Sequence, residues 1–249
     1  MVLNYDYHTH PQGHSIRPYS IAALQPWIDQ CKARNVTSIA FTDHDRYHAG
    51  VDFEVVEHLR EINPDIEILV GIELDNDPVT SGEGARWVEK HWDKLDFVLG
   101  SVHYFPGEQV MFDRADQALQ TIVRGVEKAY EQYFTELENV IARGHIDCLS
   151  HLDLIKIHGY RPEMYNGAAF FRPILDLVKQ RGLAIEASTA GWRKTVGEQY
   201  PDFSIISEAT TAAIPITTAS DAHSHAQLAE NFNRLAQILQ EIGVKKIAR

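Results

Sequence analysis

Seven short apolar runs recur along the 249-residue chain, and an amphipathic stretch follows each of them. Short apolar runs bounded by turn residues predict buried strands, and apolar residues spaced three or four apart predict helices. The predicted strands are residues 2–7, 36–42, 66–72, 97–102, 146–150, 183–187 and 214–219. The predicted helices are residues 20–34, 51–62, 84–92, 115–143, 167–180, 204–211 and 227–242, and we expect Pro26 to kink or restart the first of them.

Alternating strands and helices favour a parallel sheet with helical crossovers. Such a sheet is either a closed barrel or an open, doubly wound sheet, and in both the functional groups lie at the carboxyl ends of the strands. An open sheet concentrates these groups at one crevice, whereas here nearly every predicted strand ends in a candidate functional residue. We therefore expect an α/β fold, a seven-stranded (βα) barrel with its site at the carboxyl ends, formed as one domain over residues 1–249.

The composition of the chain argues against a membrane protein, a disulfide-rich protein and a nucleic-acid-binding protein. No apolar run approaches the ~18 residues of a membrane span, and residues 1–6 lack the pattern of a signal peptide. The two cysteines, Cys31 and Cys148, cannot form a disulfide framework, so we expect a cytoplasmic protein. The net charge of −12 argues against a nucleic-acid partner, which needs a basic stripe. We expect no nucleic-acid or membrane partner, and the sequence leaves the oligomeric state open.

Histidines and carboxylates follow the predicted strands. They are His8, His10 and His14 after the first strand, Asp43 and His44 after the second, Glu73 after the third, His103 after the fourth, His151 and Asp153 after the fifth, and Asp221 and His223 after the seventh. This mixture without cysteine fits Zn²⁺, Mn²⁺ or Fe²⁺. It has too many potential ligands for one tetrahedral ion, and two or three ions that share a bridging carboxylate would use them.

The motifs that contain these residues resemble those of the polymerase-and-histidinol-phosphatase (PHP) family, in the order that the family shows. They are His8-Thr9-His10, Thr42-Asp43-His44, Gly71-Ile72-Glu73, Ser101-Val102-His103, Ser150-His151-Leu152-Asp153 and Ser220-Asp221-Ala222-His223. The resemblance implies a distorted seven-stranded (βα) barrel that holds three divalent ions. It implies a first ion on His8, His10, Glu73 and Asp221, a second that shares Glu73 with His103 and His151, and a third on His14, His44 and His223.

Three stretches are similar to histidinol-phosphate phosphatases within this family: residues 100–113, 151–156 and 186–201. The similarity implies hydrolysis of a small phosphorylated metabolite, L-histidinol phosphate, to L-histidinol and phosphate in histidine biosynthesis. Acid–base catalysis alone is too weak for this slow reaction, so we expect a hydroxide held between two metal ions to attack phosphorus in line. The candidate phosphate-binding residues are Arg193, Arg161, Lys156 and Arg17. The candidates for protonating the leaving group are His223 and Asp153, and the sequence does not decide between them.

Other functions use the same ligands. A PHP phosphoesterase could act on a nucleotide, a sugar phosphate or a cyclic phosphate ester. Amidohydrolases attack carbon–nitrogen bonds with similar ligand sets, but they usually carry a bridging lysine, and no predicted strand ends in a candidate lysine. A non-enzymatic metal-binding or polymerase-associated module would be expected to carry a basic face or an attached domain.

Overall fold

Seven parallel strands form one sheet in the order in which they occur along the chain. The structure is a computed structural model that describes residues 1–245, 247 and 248. The strands are β1 (Tyr5–Thr9), β2 (Ser38–Phe41), β3 (Glu67–Leu74), β4 (Phe97–Gly100), β5 (Cys148–Leu149), β6 (Ala184–Ser188) and β7 (Ile216–Ala219). Each predicted strand therefore has its counterpart, although β1 extends two residues beyond its apolar run.

Helices connect the strands. They are α1 (Ile21–Arg34), α2 (Phe53–Ile62), α3 (Glu83–His91), α4 (Gln120–Arg124), α5 (Val126–Arg143), α6 (Gly167–Arg181), α7 (Phe203–Thr211) and α8 (Phe232–Ile242). None of the helices in the described part of the chain is long and apolar enough to cross a membrane.

Two helix predictions differ from the structure. Helix α1 does not restart at Pro26, because Leu24 and Ile28 on either side of the proline are both buried, and this packing outweighs one lost hydrogen bond. The single helix predicted over residues 115–143 is divided, because Gly125 has φ +89° and no α-helix continues through that conformation.

The first and last strands meet and close the barrel. The main-chain N–H of His10 donates to the carbonyl of Ala222 (2.8 Å), and the carboxylate of Asp6 accepts from the main-chain N–H of Ser220 (2.8 Å). The hydroxyl of Thr218 donates to the carbonyl of Tyr5 (2.5 Å). These bonds make the parallel sheet a nearly closed ring, so the predicted seven-stranded barrel is confirmed.

A bulge in β1 places its histidines. Asp6 pairs with Ile39 and Thr9 pairs with Phe41, so three steps along β1 match only two steps along β2. An extra residue in one strand re-aims the side chains next to it. Tyr7 packs inside the barrel with residues such as Leu99 and Cys148, and the extra residue lets His8 face the interior as well.

Candidate metal centre

Imidazoles and carboxylates from six of the seven strands, or from the loops that follow them, meet at the carboxyl end of the barrel. Their ligand atoms form four groups, within each of which the atoms lie no more than 4.8 Å apart. The groups are His8 with His10 and Glu73, Glu73 with His103 and His151, His10 with His44 and His223, and His44 with Asp75 and His103. Their members are buried, apart from the half-buried His223.

The first group lies where β1, β3 and the loop after β7 meet. His8 Nε2 is 3.4 Å from Glu73 Oε1, and His10 Nε2 is 3.2 Å from Asp221 Oδ1. Ligands about 2.0–2.2 Å from one Zn²⁺ ion lie roughly 3 Å from each other. The spacing of His8, His10 and Glu73 therefore fits one shared ion, and Asp221 lies beside this group through its contact with His10.

Glu73 also faces the second group. Its Oε1 lies 3.0 Å from His151 Nε2 and 3.8 Å from His103 Nε2. The hydroxyl of Ser101 donates to the same oxygen (2.7 Å) and fixes the orientation of the carboxylate. Glu73 thus lies between two sets of histidines, as a bridging carboxylate would.

The third group differs from the set that the resemblance implies. His10, rather than His14, offers its ligand atom together with His44 and His223. His14 is exposed, and its ring lies beside that of His223 with centroids 4.4 Å apart. His14 as a metal ligand stays a prediction.

Unpartnered atoms test whether these residues fit a metal. Several buried ring nitrogens and one carboxylate oxygen form no well-aligned hydrogen bond with the described residues: His8 Nε2, both ring nitrogens of His10, His44 Nδ1, His223 Nε2 and Glu73 Oε2. Two pairs that involve these atoms are close contacts, His44 Nδ1 to Glu73 Oε2 at 2.8 Å and His10 Nε2 to Asp221 Oδ1 at 3.2 Å, as expected of atoms that share an ion. Buried polar atoms are almost always hydrogen-bonded, so this many orphans at one point need a partner that is not protein. The donors are imidazole and carboxylate without thiolate, which fits divalent ions such as Zn²⁺ or Mn²⁺.

The electrostatics favour bound cations. Burial alone would raise the pKa of the Glu73 carboxyl, but the imidazoles of His8 and His44 outweigh it and hold the pKa well below its usual range. Burial lowers the pKa of His223 to about 4, and the neighbouring His44 acts in the same direction. An ionised carboxylate and a neutral imidazole are the forms that bind metal ions. Burial alone would lower the pKa of His8 and of His103, but buried carboxylates outweigh it and raise the pKa of both, so a cation that binds there displaces a proton from each ring.

A cavity of about 280 Å³ opens over these groups. Its lining includes Glu73, Asp221 and three histidines of the centre, together with two basic side chains, Arg193 and Lys194. Asp113 also lines it, and its Oδ1 is buried with no hydrogen-bond partner in the described chain. The cavity therefore offers a place for an anion next to the buried ligands and an acidic group at its wall.

Comparison with known proteins identifies the family. The model of the PHP domain matches residues 6–190, well over half of the chain. The chain belongs to the PHP family. The resemblance seen in the motifs is thereby confirmed.

Three similar proteins align with nearly the whole chain. A probable histidinol-phosphatase from Deinococcus radiodurans is 28% identical over 259 residues, which cover 96% of this chain and 93% of the relative. The crystal structure of hisK from Listeria monocytogenes has a TM-score of 0.76 at 19% identity and covers 92% of this chain and 99% of that one. A histidinol phosphate phosphatase from Lactococcus lactis, solved with zinc, L-histidinol and phosphate, has a TM-score of 0.72 at 19% identity, with coverage of 100% and 97%.

Among the predicted phosphate-binding residues of this PHP domain, only Arg193 lines the cavity. Lys156 is fully buried, and its Nζ lies 2.8 Å from Asp153 Oδ2 and 3.2 Å from Glu198 Oε2. Arg161 pairs with the same Glu198 carboxylate (2.5 Å).

The structure thus places Lys156 and Asp153 in one ion-pair network beneath the loop that carries Arg193. Neither residue, nor Arg161, is among the cavity-lining residues of the described chain. Arg17 is exposed, and its Nε donates to Ser15 Oγ (3.2 Å). Four of the six predicted substrate-binding and catalytic residues are therefore not brought to the cavity.

Two carboxylates that the sequence prediction missed contact histidines of the four groups. Asp75 forms a short hydrogen bond with His103 Nδ1, and its other oxygen pairs with Arg46. The Asp75 and Glu73 carboxylates outweigh burial and raise the pKa of His103 to about 10. Glu186 lies 2.7 Å from His8 Nδ1.

The sequence contains a feature that could have indicated each of these two carboxylates. Asp75 follows Glu73 by two positions, directly after the end of β3, where the period of an extended chain predicts the same side as Glu73. Glu186 is a charged residue within an otherwise uncharged buried strand, which requires a buried partner.

Proposed function

We propose that this PHP domain is a metal-dependent phosphatase that hydrolyses L-histidinol phosphate to L-histidinol and phosphate. The observation that carries the proposal is the set of unpartnered ligand atoms around Glu73, which opens directly onto a cavity with Arg193 and Lys194 at its wall. The names of the relatives from Deinococcus radiodurans and Lactococcus lactis support this substrate.

Three divalent ions would account for the ligands. His8, His10, Glu73 and Asp221 would hold the first, and Glu73, His103 and His151 the second. His44 and His223 would hold the third, with His10 or His14 beside them. Bound ions of this kind neutralise phosphoryl oxygens and lower the pKa of water to about 7.

Residues at the cavity wall would bind the two ends of the substrate. Arg193 and Lys194 would donate charge-assisted hydrogen bonds to the phosphate. Asp113 has an unpartnered buried oxygen that would accept from a cationic leaving group, as an amino alcohol is at neutral pH. Of the two candidates for protonating the leaving oxygen, His223 lines the cavity and Asp153 does not. Because His223 would hold the third ion in this proposal, we assign neither of them as the acid.

The proposal also includes the expectations about domain organisation, cellular location and partners. The enzyme would act as one domain over residues 1–249 in the cytoplasm, on a small metabolite and without a nucleic-acid partner. The two cysteines are both free and buried, which supports a reducing compartment. The net charge of −12 supports the absence of nucleic acid.

A panel of phosphate esters tests the function. The purified protein would be assayed with L-histidinol phosphate, p-nitrophenyl phosphate, a nucleotide, a sugar phosphate and a cyclic phosphate ester, and its metal content measured on the same sample. We expect kcat/KM for L-histidinol phosphate to exceed every other value by orders of magnitude. Equal kcat/KM values across the panel would overturn the assigned substrate. Full activity after removal of the metal would overturn the metal-dependent mechanism.

A further inference from the structure

Glu186 is the charged residue of β6, and its carboxylate is fully buried. It belongs to none of the four groups of ligand atoms described above. A buried carboxylate is costly unless it is paired and hydrogen-bonded, so its partners indicate why a charge is kept at this position.

Both oxygens of Glu186 have a partner, and the partners come from opposite sides of Glu73. Oε2 lies 2.7 Å from Nδ1 of His8, whose other nitrogen faces Glu73 Oε1 at 3.4 Å. Oε1 accepts from the main-chain N–H of His151 (3.1 Å), whose Nε2 lies 3.0 Å from the same Glu73 oxygen. One carboxylate therefore spans the interior of the barrel between β1 and the end of β5.

These two contacts determine the tautomer of the His8 imidazole and hold the main chain at His151 in place. An ionised carboxylate only accepts hydrogen bonds, so His8 carries a proton on Nδ1 and leaves Nε2 as its metal-binding atom. The bond to the His151 main chain fixes where the side chain of that residue starts. By contrast, Nδ1 of His10 has no hydrogen-bond partner in the described residues.

We propose that Glu186 is a positioning residue that preorganises His8 and His151 for the two ions that share Glu73. It acts through these histidines and does not itself bind metal. The inference rests on the proposed metal centre, but its main readout is metal affinity, which does not depend on the identity of the substrate.

The test compares Glu186→Gln with a matched control, Asp147→Asn. Asp147 is also a carboxylate that accepts from a main-chain N–H, that of Val98 (2.8 Å), but it lies at the opposite end of β5. Loss of a group that orients a metal ligand typically weakens metal affinity about 10–100-fold. We expect this loss for Zn²⁺ in Glu186→Gln, measured by competition with a chromophoric chelator, and wild-type affinity in Asp147→Asn.

Kinetics at saturating Zn²⁺ separate positioning from a purely structural role. We expect kcat of Glu186→Gln to fall and KM to stay close to the wild-type value, because Arg193 and Lys194 are untouched. Wild-type Zn²⁺ affinity and kcat in a folded Glu186→Gln variant would overturn the proposal. If the wild-type protein binds Zn²⁺ as expected but hydrolyses no histidinol phosphate, the proposed substrate fails while the role of Glu186 stands.

A measurement on the wild-type protein covers the case in which the variant does not fold. ¹⁵N-histidine correlation spectra of the Zn²⁺-loaded protein report which nitrogen of His8 carries the proton. A protonated Nδ1 is expected. A proton on Nε2, or none on Nδ1, would overturn the inference.

Discussion

Arg193 holds the main chain of Asp221 in place: its Nη2 donates to the carbonyl oxygens of Asp221 (3.0 Å) and of the preceding Ser220 (2.6 Å). Asp221 needs such support, because it adopts φ +50°, which is unfavourable for a residue with a side chain. The same guanidinium lines the cavity, so one side chain both faces the proposed phosphate and stabilises the turn that presents a proposed metal ligand.

Replacement of Arg193 should therefore have two effects. In Arg193→Ala we expect KM for L-histidinol phosphate to rise about 10–100-fold, as for loss of a charged hydrogen bond worth roughly 1.5–3 kcal/mol. We also expect a lower metal content, because the Asp221 turn loosens. Arg193→Lys should recover part of KM but not the metal content, since lysine lacks the forked donor. The exposed Arg172→Ala serves as control, and an unchanged KM in Arg193→Ala would remove this residue from the phosphate site.

Loss of Glu73 should release more than one ion. Glu73 is the only carboxylate shared by two of the four ligand groups found in the described chain. We expect Glu73→Ala to lose at least two equivalents of metal by elemental analysis, and to lose measurable phosphatase activity. Glu89→Ala, an exposed substitution on α3, should keep the wild-type metal content. Full occupancy in Glu73→Ala would contradict the shared centre.

Chelators should remove the ions in two phases. His8 and His151 are almost completely buried, whereas the side chains of Asp221 and His223 are 15% and 24% exposed at the cavity wall. We expect the ion near His223 to leave first on addition of EDTA and the ions around Glu73 to leave later. The fully stripped protein should unfold at a lower temperature, because the ions bind only the folded state. Release of all ions in one phase would argue against this order.

The two thiols should be unreactive in the folded protein. Burial raises the pKa of both Cys31 and Cys148, and the thiolate is the form that attacks a disulfide reagent. At pH 8 we expect Ellman's reagent to label neither cysteine of the native protein and both cysteines in guanidinium chloride. Rapid labelling without denaturant would show that the barrel opens readily near β5 or α1.

The barrel could be predicted from the sequence because the patterns that indicate its strands and helices are local and periodic. Each strand is a short apolar run, and parallel strands bring their carboxyl ends to one edge, so Glu73, His103 and His151 could be assigned to one site before any coordinates. The bulge in β1 could not be predicted, because it depends on how Asp6 and Thr9 pair with β2.

Three of the four predicted phosphate-binding residues lie away from the cavity, and their role in binding stays a prediction. Lys156 and Arg161 follow β5, as a phosphate-binding residue could, but their carboxylate partners come from elsewhere in the chain. Glu198 lies in the loop after β6, and nothing in the sequence indicates that it neutralises both cations. Charge alone therefore indicated candidates. Arg193 is paired as well, with Glu230 (3.4 Å), and only its position at the cavity wall separates it from the others.

Because β1 and β7 are far apart in the sequence, the proposed metal centre can be completed only after β7 has been synthesised. His8 and His10 are synthesised more than 200 residues before Asp221 and His223. The contact between Asp6 and Ser220 joins residues 214 positions apart, which is the kind of contact that forms slowly. A nascent chain thus carries histidines able to capture a metal long before the carboxylate that completes their site, and correct loading must follow the release of the last strand.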